Sequence, residues 1–460
     1  LFSSAARLLK NGGELFLSSC SSHVNFADFD AIIIGGGVLG TSISYFLSHL
    51  NKSKKIAVIE QEHNVAFHTS GRNTGKVHAP YLYNPEKKKL FAKAAFHGYE
   101  MWEEYSKLRN LPFKKDGVIE VALDKKGNSV LEKYLKWGKQ NGLEDKDIRL
   151  MDSAELKKIE PEIKCESALY VYKDGSTDYS IFTDSVRKDS ESSGTKFILD
   201  TKVTKIKKEN GKWTITLDGE HEIFAKFLIN AAGGEAINIA HDAGVAKKLT
   251  DVHFRGEYWK APREYHNLTK TSVYSVPEFP DYPFLDPHWI IRVDGSCEIG
   301  PNAVPVFSPY GYNKTENIKE FIPKMLEMLG SGARKAIFDK QFQDLAMNEI
   351  QSSMSKSAMI DRVKRFLPRI DADKITEKGT AGIRSSVIDE DGKFVPDVIL
   401  IDDDTSFHIL NYNSPGATGA LPFASHVINH LNKKGLFQSE NLDAQCGPWK
   451  FSEIIEKLET

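Results

Sequence analysis

Asp30-Ala31-Ile32-Ile33-Ile34-Gly35-Gly36-Gly37-Val38-Leu39-Gly40 couples a short, wholly apolar, β-branched run to a glycine turn. Such a run forms a strand covered on both faces in a parallel sheet. The turn supplies G-x-G-x-x-G, and Ile43, Phe46, Leu47 and Leu50 continue it with helical spacing. Gly35 makes the tight turn, Gly37 lets backbone approach a pyrophosphate, and Gly40 lets the helix pack on the strand. Val38 and Leu39 open the helix, whose N-terminal N–H groups and positive dipole end favour phosphate. A second apolar run, Ile56-Ala57-Val58-Ile59, ends at Glu60, 20 residues beyond Gly40. An acid there accepts from adenosine ribose hydroxyls and disfavours a 2′-phosphate. The chain therefore opens as a doubly wound, Rossmann-like α/β dinucleotide-binding domain.

The 460 residues suffice for about three domain-sized units or one elaborated two-domain enzyme. With 40% hydrophobic residues and 33 glycines against 18 prolines, the chain is globular, neither disordered nor collagen-like. Sixty-one basic against 63 acidic residues leave a net charge of −2, so no nucleic-acid partner is expected. Cys20, Cys165, Cys297 and Cys446 form no CxxC and are read as buried thiols, with no metal site expected. No apolar run is long enough to span a bilayer, so any membrane contact would be peripheral. Residues 1–27 are basic and serine-rich, with Glu14 their only acid. They read as a plain N-terminal extension or as a transit peptide, giving a cytoplasmic or a mitochondrial protein respectively.

The glycine fingerprint does not separate nicotinamide from flavin dinucleotides; four later features favour flavin. A polar loop, Thr69-Ser70-Gly71-Arg72-Asn73-Thr74-Gly75 with Lys76 and His78, suits wrapping a long cofactor. The strands around Val203 and Trp213-Thr214-Ile215-Thr216-Leu217, the Asp218-Gly219 turn and the return into Ala231-Ala232-Gly233 form a β-meander. Gly382-Ile383-Arg384 precedes an Asp391-Gly392 turn, and Ser414-Pro415-Gly416-Ala417-Thr418 opens a glycine-rich helix that can aim N–H groups at the flavin pyrimidine.

Together with Arg255-Gly256-Glu257-Tyr258, Pro283-Phe284-Leu285, His288 and Gly300-Pro301-Asn302, these stretches resemble the D-amino-acid-oxidase-like FAD-dependent oxidoreductases, and within them the L-2-hydroxyglutarate dehydrogenases. The resemblance runs from about residue 30 to 431. It implies FAD as cofactor, held by the fingerprint, Glu60, the polar loop, Val203, the Ala231 to Gly233 end and the two glycine motifs. It also implies a 2-hydroxy acid as substrate, oxidised by hydride transfer to flavin N5. Lys76 departs from the family's apolar residue, and either binds a second carboxylate or points to solvent. Malate:quinone oxidoreductases and amine or amino-acid oxidases of the same superfamily remain alternatives, as does a flavin-binding module without turnover. The electron acceptor is open among oxygen, a quinone and a carrier protein.

The expected architecture is a discontinuous FAD-binding domain (28–110, 174–250, 376–435), an interleaved mixed-sheet, α+β substrate domain (111–173, 251–375) and a C-terminal tail (436–460). His288 is the expected base with His78 in reserve, Arg384 the carboxylate clamp and Tyr258 a pocket residue. Each also has a bland reading, as a turn histidine, cofactor packing, a structural ion pair and core. Arg255 reads equally as pocket or exposed pair. Phe321, Ile322, Met325, Leu326 and Leu329 form one helical stripe, expected in the core, and Lys87-Lys88-Lys89 is expected to be a solvated helix face.

Overall fold

The computed structural model describes residues 28–277, 286–312, 320–413 and 416–460. The predicted strand and helix are present as β1 (Asp28–Ile34) and α1 (Val38–Leu50), followed by β2 (Ile56–Ile59). β1 runs parallel to β2 and to the strand His221–Asn230, with Ile32 opposite Ala57 on one side and Leu228 on the other. Ile32, Ile33, Ala57, Val58, Leu228 and Ile229 have no exposed surface. That is why these strands lack the alternation of a half-exposed sheet. Lys196–Ile198 extends the sheet beyond β2, and Ser406–Leu410 joins His221–Asn230 in parallel. The meander Val203–Glu209, Lys212–Leu217 and His221–Asn230 is antiparallel, as its turn residues require.

A second eight-stranded sheet roofs the first. Its order is Glu377–Lys378, Trp259–Lys260, Cys297–Gly300, His288–Ile291, Ser272–Ser275, Val118–Ala122, Ser167–Val171 and Ile148–Asp152. It is mixed, because Ser272–Ser275 runs parallel to Val118–Ala122 while its other pairings are antiparallel. A three-stranded sheet of Val304–Val306, Thr250–Gly256 and Gly382–Ile388 carries Arg384. The C-terminal segment is packed rather than loose. Its hairpin and the helix Phe451–Glu459 bury Trp449, Phe451, Ile454 and Leu458 in the same core as α1.

The stripe on the helix Phe321–Gly330 corrects the expectation of a core face. Phe321, Ile322, Leu326 and Leu329 are 44%, 67%, 67% and 43% exposed. The helix instead turns Met328 and Lys324 inward, where Lys324 is tied to Asp251 and Glu327. A buried ammonium must keep its carboxylate, so that pairing sets the rotation of the helix and leaves the apolar side outward. Among the described residues no helix is long and apolar enough to cross a membrane, and no cluster of His, Cys, Asp and Glu could hold a metal ion. Cys165, Cys297 and Cys446 are unpaired thiols.

Candidate functional site

A cavity of about 570 Å³ runs from the glycine turn to the roof sheet. Gly35, Gly37, Val38 and Leu39 line it at one end, together with Glu60, Thr69, Ser70, Arg72, Asn73, Thr74 and Val203. Ala231, Ala232, Gly233, Gly382, Ile383, Arg384, Gly416 and Ala417 continue the wall, and His78, His288 and Tyr258 line it too. Positions about 380 residues apart in the chain thus converge. Three expected cofactor residues stand outside the wall for packing reasons. A Cβ on Gly40 would lie 2.0 Å from the Gly35 carbonyl, and one on Gly75, whose φ is +70°, would lie 2.3 Å from that of Thr177. Thr418 sits behind His78, accepting its backbone N–H at 3.0 Å through Oγ1. Ser414 and Pro415, like residues 1–27 and the Pro283-Phe284-Leu285 motif, lie outside the described residues.

The cofactor end is built by backbone and carboxylate. Glu60 accepts the Gly36 N–H at 2.7 Å through Oε2 and the Glu62 N–H at 3.0 Å through Oε1. Burial pushes its pKa up, against these hydrogen bonds. The Val38 N–H donates to Ser70 Oγ at 3.0 Å, so the polar loop is tied to the start of α1. Arg72 donates to the Phe67 carbonyl and lies 4.4 Å from the Tyr312 ring centre, bracing that loop. Gly233, at φ +59°, lines the cavity, and a Cβ there would enter open space; one on Gly37 would come within 3.0 Å of Ser70 Oγ. Side chains at these two positions would fill room that a dinucleotide needs. The residues present fit FAD.

At the far end His288 stacks on Tyr274, ring centres 3.9 Å apart, and Tyr274 meets His78 edge-on at 5.7 Å. Burial pushes the His288 pKa down to about 3, with His78 and Arg362 adding to the shift. His288 Nδ1 has no hydrogen-bond partner among the described residues. His78 Nδ1 lies 3.1 Å from Asp174 Oδ2. Burial lowers the Arg384 pKa to about 10, leaving the guanidinium charged at neutral pH. Burial also lifts Glu120, in the same wall, to about 8, so it is protonated at neutral pH.

Two lysine readings change. Lys76 neither faces solvent nor stands open for a carboxylate. Its ammonium is buried, 3.0 Å from Asp116 Oδ1, and donates to the Gly117 carbonyl and Ser176 Oγ at 3.1 Å each. Lys88, expected on a solvated face, is half-buried in the cavity wall and makes no ion pair among the described residues. Burial and then the Arg384 charge push its pKa down. Arg255 is an ion pair rather than a pocket residue, 2.9 Å from Glu257 Oε1 and donating to the Gly311 carbonyl. Tyr274, Asp174, Lys88 and Glu120 had no local motif to announce them.

A cavity that begins at a nucleotide-binding turn and ends among ionisable side chains on a second sheet is what a redox enzyme with a dinucleotide cofactor requires. The chain belongs to the FAD dependent oxidoreductase family, DAO, whose match spans residues 30–429. It is accordingly an FAD-dependent oxidoreductase. An L-2-hydroxyglutarate dehydrogenase of Indibacter alkaliphilus is 32% identical over 409 residues, covering 88% of this chain and 100% of that protein. The mitochondrial L-2-hydroxyglutarate dehydrogenase of Bos taurus is 28% identical over 448 residues, 94% of each chain. In fold the chain is similar to dithionite-reduced L-alpha-glycerophosphate oxidase from Mycoplasma pneumoniae with FAD bound. There the TM-score is 0.69 at 21% identity, over 88% of this chain and 95% of that one.

Proposed function

We propose that the protein oxidises L-2-hydroxyglutarate to 2-oxoglutarate. The observation that carries this reading is a pair of cations, Arg384 and Lys88, lining one cavity wall. A 2-hydroxy acid with two carboxylates matches that pair; a monocarboxylate engages only one of the two cations. Arg384 grips the carboxylate next to the hydroxyl with its planar fork, and Lys88 takes the distal one as a point charge. FAD, when bound, supplies the two-electron acceptor for the hydrogen that leaves the α-carbon.

The hydroxyl proton must go to a base. His288 is buried so deeply that holding a proton is strongly unfavourable. We therefore assign the base to His78 rather than His288: Asp174 accepts from Nδ1, which leaves Nε2 with the lone pair. His288 and Tyr274 close the roof over the reacting carbon and exclude water. The exposed Phe321, Ile322, Leu326 and Leu329 support a peripheral membrane contact, and the basic, serine-rich residues 1–27 support a mitochondrial address like that of the bovine relative.

Anaerobic mixing with L-2-hydroxyglutarate, its D-enantiomer, L-malate, L-lactate, glycine and L-glutamate, read as bleaching of the flavin band, tests the substrate. Fastest bleaching is expected with L-2-hydroxyglutarate. Faster bleaching with L-malate or an amino acid would overturn the reading.

A further inference from the structure

Behind His78 lies a buried cluster of charges, of which Lys76 reaches the cavity wall while Asp116 and Asp174 stand behind it. The register creates it. Lys76-Val77 pairs antiparallel with Gly175–Thr177, placing Lys76 opposite Ser176, and the Gly117 N–H donates to the Asp174 carbonyl at 3.1 Å. Three chain segments therefore meet around Lys76, Asp116 and Asp174. The Lys76 and Asp174 side chains have no exposed surface, and Asp116 keeps 13%. The Lys76 ammonium is 3.0 Å from Asp116 Oδ1 and 4.0 Å from Asp174 Oδ1. Asp174 Oδ2 accepts from His78 Nδ1 and from the Ala79 N–H, both at 3.1 Å. With the Thr418 hydroxyl holding the His78 N–H, the histidine is fixed in both main chain and ring.

Counted formally, one ammonium faces two carboxylates. The cluster is one positive charge short of neutrality, and burial makes that imbalance costly. The remaining titratable groups facing His78 do not redress it: burial holds Tyr274 and Tyr179 as phenols and His288 as a neutral imidazole. A proton on His78 would complete the charge.

We infer that Asp174 is the positioning residue of His78, and that the Lys76–Asp116–Asp174 cluster draws the substrate's hydroxyl proton onto His78 by becoming neutral when it arrives. In that step the O–H bond breaks, an N–H bond forms at Nε2, and the Nδ1–H stays on the ring, hydrogen-bonded to Asp174. Lys76 ties Asp116 and Asp174 into one cluster, its ammonium 3.0 Å from Asp116 Oδ1 and 4.0 Å from Asp174 Oδ1. The inference rests on His78 being the base.

The first measurement needs no variant. In FAD-loaded protein carrying isotope-labelled histidine, long-range proton–nitrogen spectra are expected to show His78 protonated at Nδ1; an Nε2–H tautomer would overturn the inference. Asp174→Asn is then expected to keep its FAD, lose that tautomer, and slow anaerobic flavin reduction by L-2-hydroxyglutarate by roughly 10² to 10⁴. In a His78→Ala background the same change is expected to alter the rate less than about twofold, since it acts only through the imidazole. If Asp174→Asn releases FAD, the charge-matched Lys76→Met/Asp174→Asn protein is read by the same rate and spectrum. A parent-like rate in the Asp174 variant beside a collapsed His78→Ala enzyme would overturn the inference and leave His78 the base. A parent-like rate in His78→Ala would overturn the base assignment itself.

Discussion

His288 and Tyr274 lie ring on ring, centres 3.9 Å apart and planes 17° from parallel, at the inner end of the flavin cavity. Packing of this kind removes water from the stacked face of the imidazole, His288 is buried overall, and the cost falls on its charged form. His288 therefore contributes to stability as a neutral group, with a pKa of about 3 against an ordinary value of 6.5. A group whose pKa is depressed by folding stabilises the fold above its unfolded value, and that stability is lost as pH falls towards the folded one. Between pH of about 6.5 and about 3, the melting temperature of the parent is expected to fall more steeply than that of His288→Gln. Parallel curves from scanning calorimetry of the two proteins would show that His288 is solvated.

The catalytic counterpart follows from the same contrast. His78→Ala is expected to slow flavin reduction by roughly 10² to 10⁴, the usual share of a positioned base. His288→Ala, lacking any base role, is expected to lose about tenfold or less through a looser roof. Stopped-flow reduction with FAD content measured alongside decides it; the reverse ranking would return the base to His288.

The glycine turn, its flanking strands and the meander were legible because every determinant is local. A β-branched run, a small residue and a helical period sit within a few positions of one another, and the cavity wall confirms their convergence. What was not legible depends on partners far along the chain. The ring partner of His78 is Asp174, 96 residues away, in a Lys-Asp-Gly stretch that reads as an ordinary turn. The rotation of the Phe321–Gly330 helix is set by Lys324 finding Asp251 across 73 residues, which overrides a hydrophobic stripe. Lys88 differs from Lys87 and Lys89 only by lying where the chain turns into its next helix against the cavity.

Gly37→Val is expected to yield folded protein with little FAD. The Gly37 backbone is extended, at φ −68° and ψ 174°, so valine is conformationally allowed there. Its side chain, starting 3.0 Å from Ser70 Oγ, would stand between the helix start and the polar loop, in the path of the pyrophosphate. The ratio of flavin to protein absorbance after desalting measures this, and a parent-like ratio would place the phosphates elsewhere.

Arg384→Lys is expected to keep its FAD and raise KM for L-2-hydroxyglutarate by about tenfold or more, since the charge survives while the bidentate fork is lost. Unchanged KM in steady-state assays would make Arg384 structural and leave the α-carboxylate to another group.

Lys88→Met separates the two carboxylates of the substrate. Lys88 makes no ion pair among the described residues, and burial and then Arg384 push its pKa down against the opposing charge of Asp397, so an incoming anion favours its ammonium. Methionine keeps the length and the apolar stem while deleting the charge. For L-2-hydroxyglutarate, kcat/KM is expected to fall by about tenfold or more, equivalent to about 1.4 kcal/mol of binding. For L-lactate, which has no distal carboxylate, it is expected to stay level or rise, because the desolvated cation no longer stands opposite a methyl group. The selectivity ratio is the decisive quantity. An equal loss on both substrates would mean that Lys88 supports the fold of the wall, and no loss on either would mean that the distal carboxylate is held elsewhere.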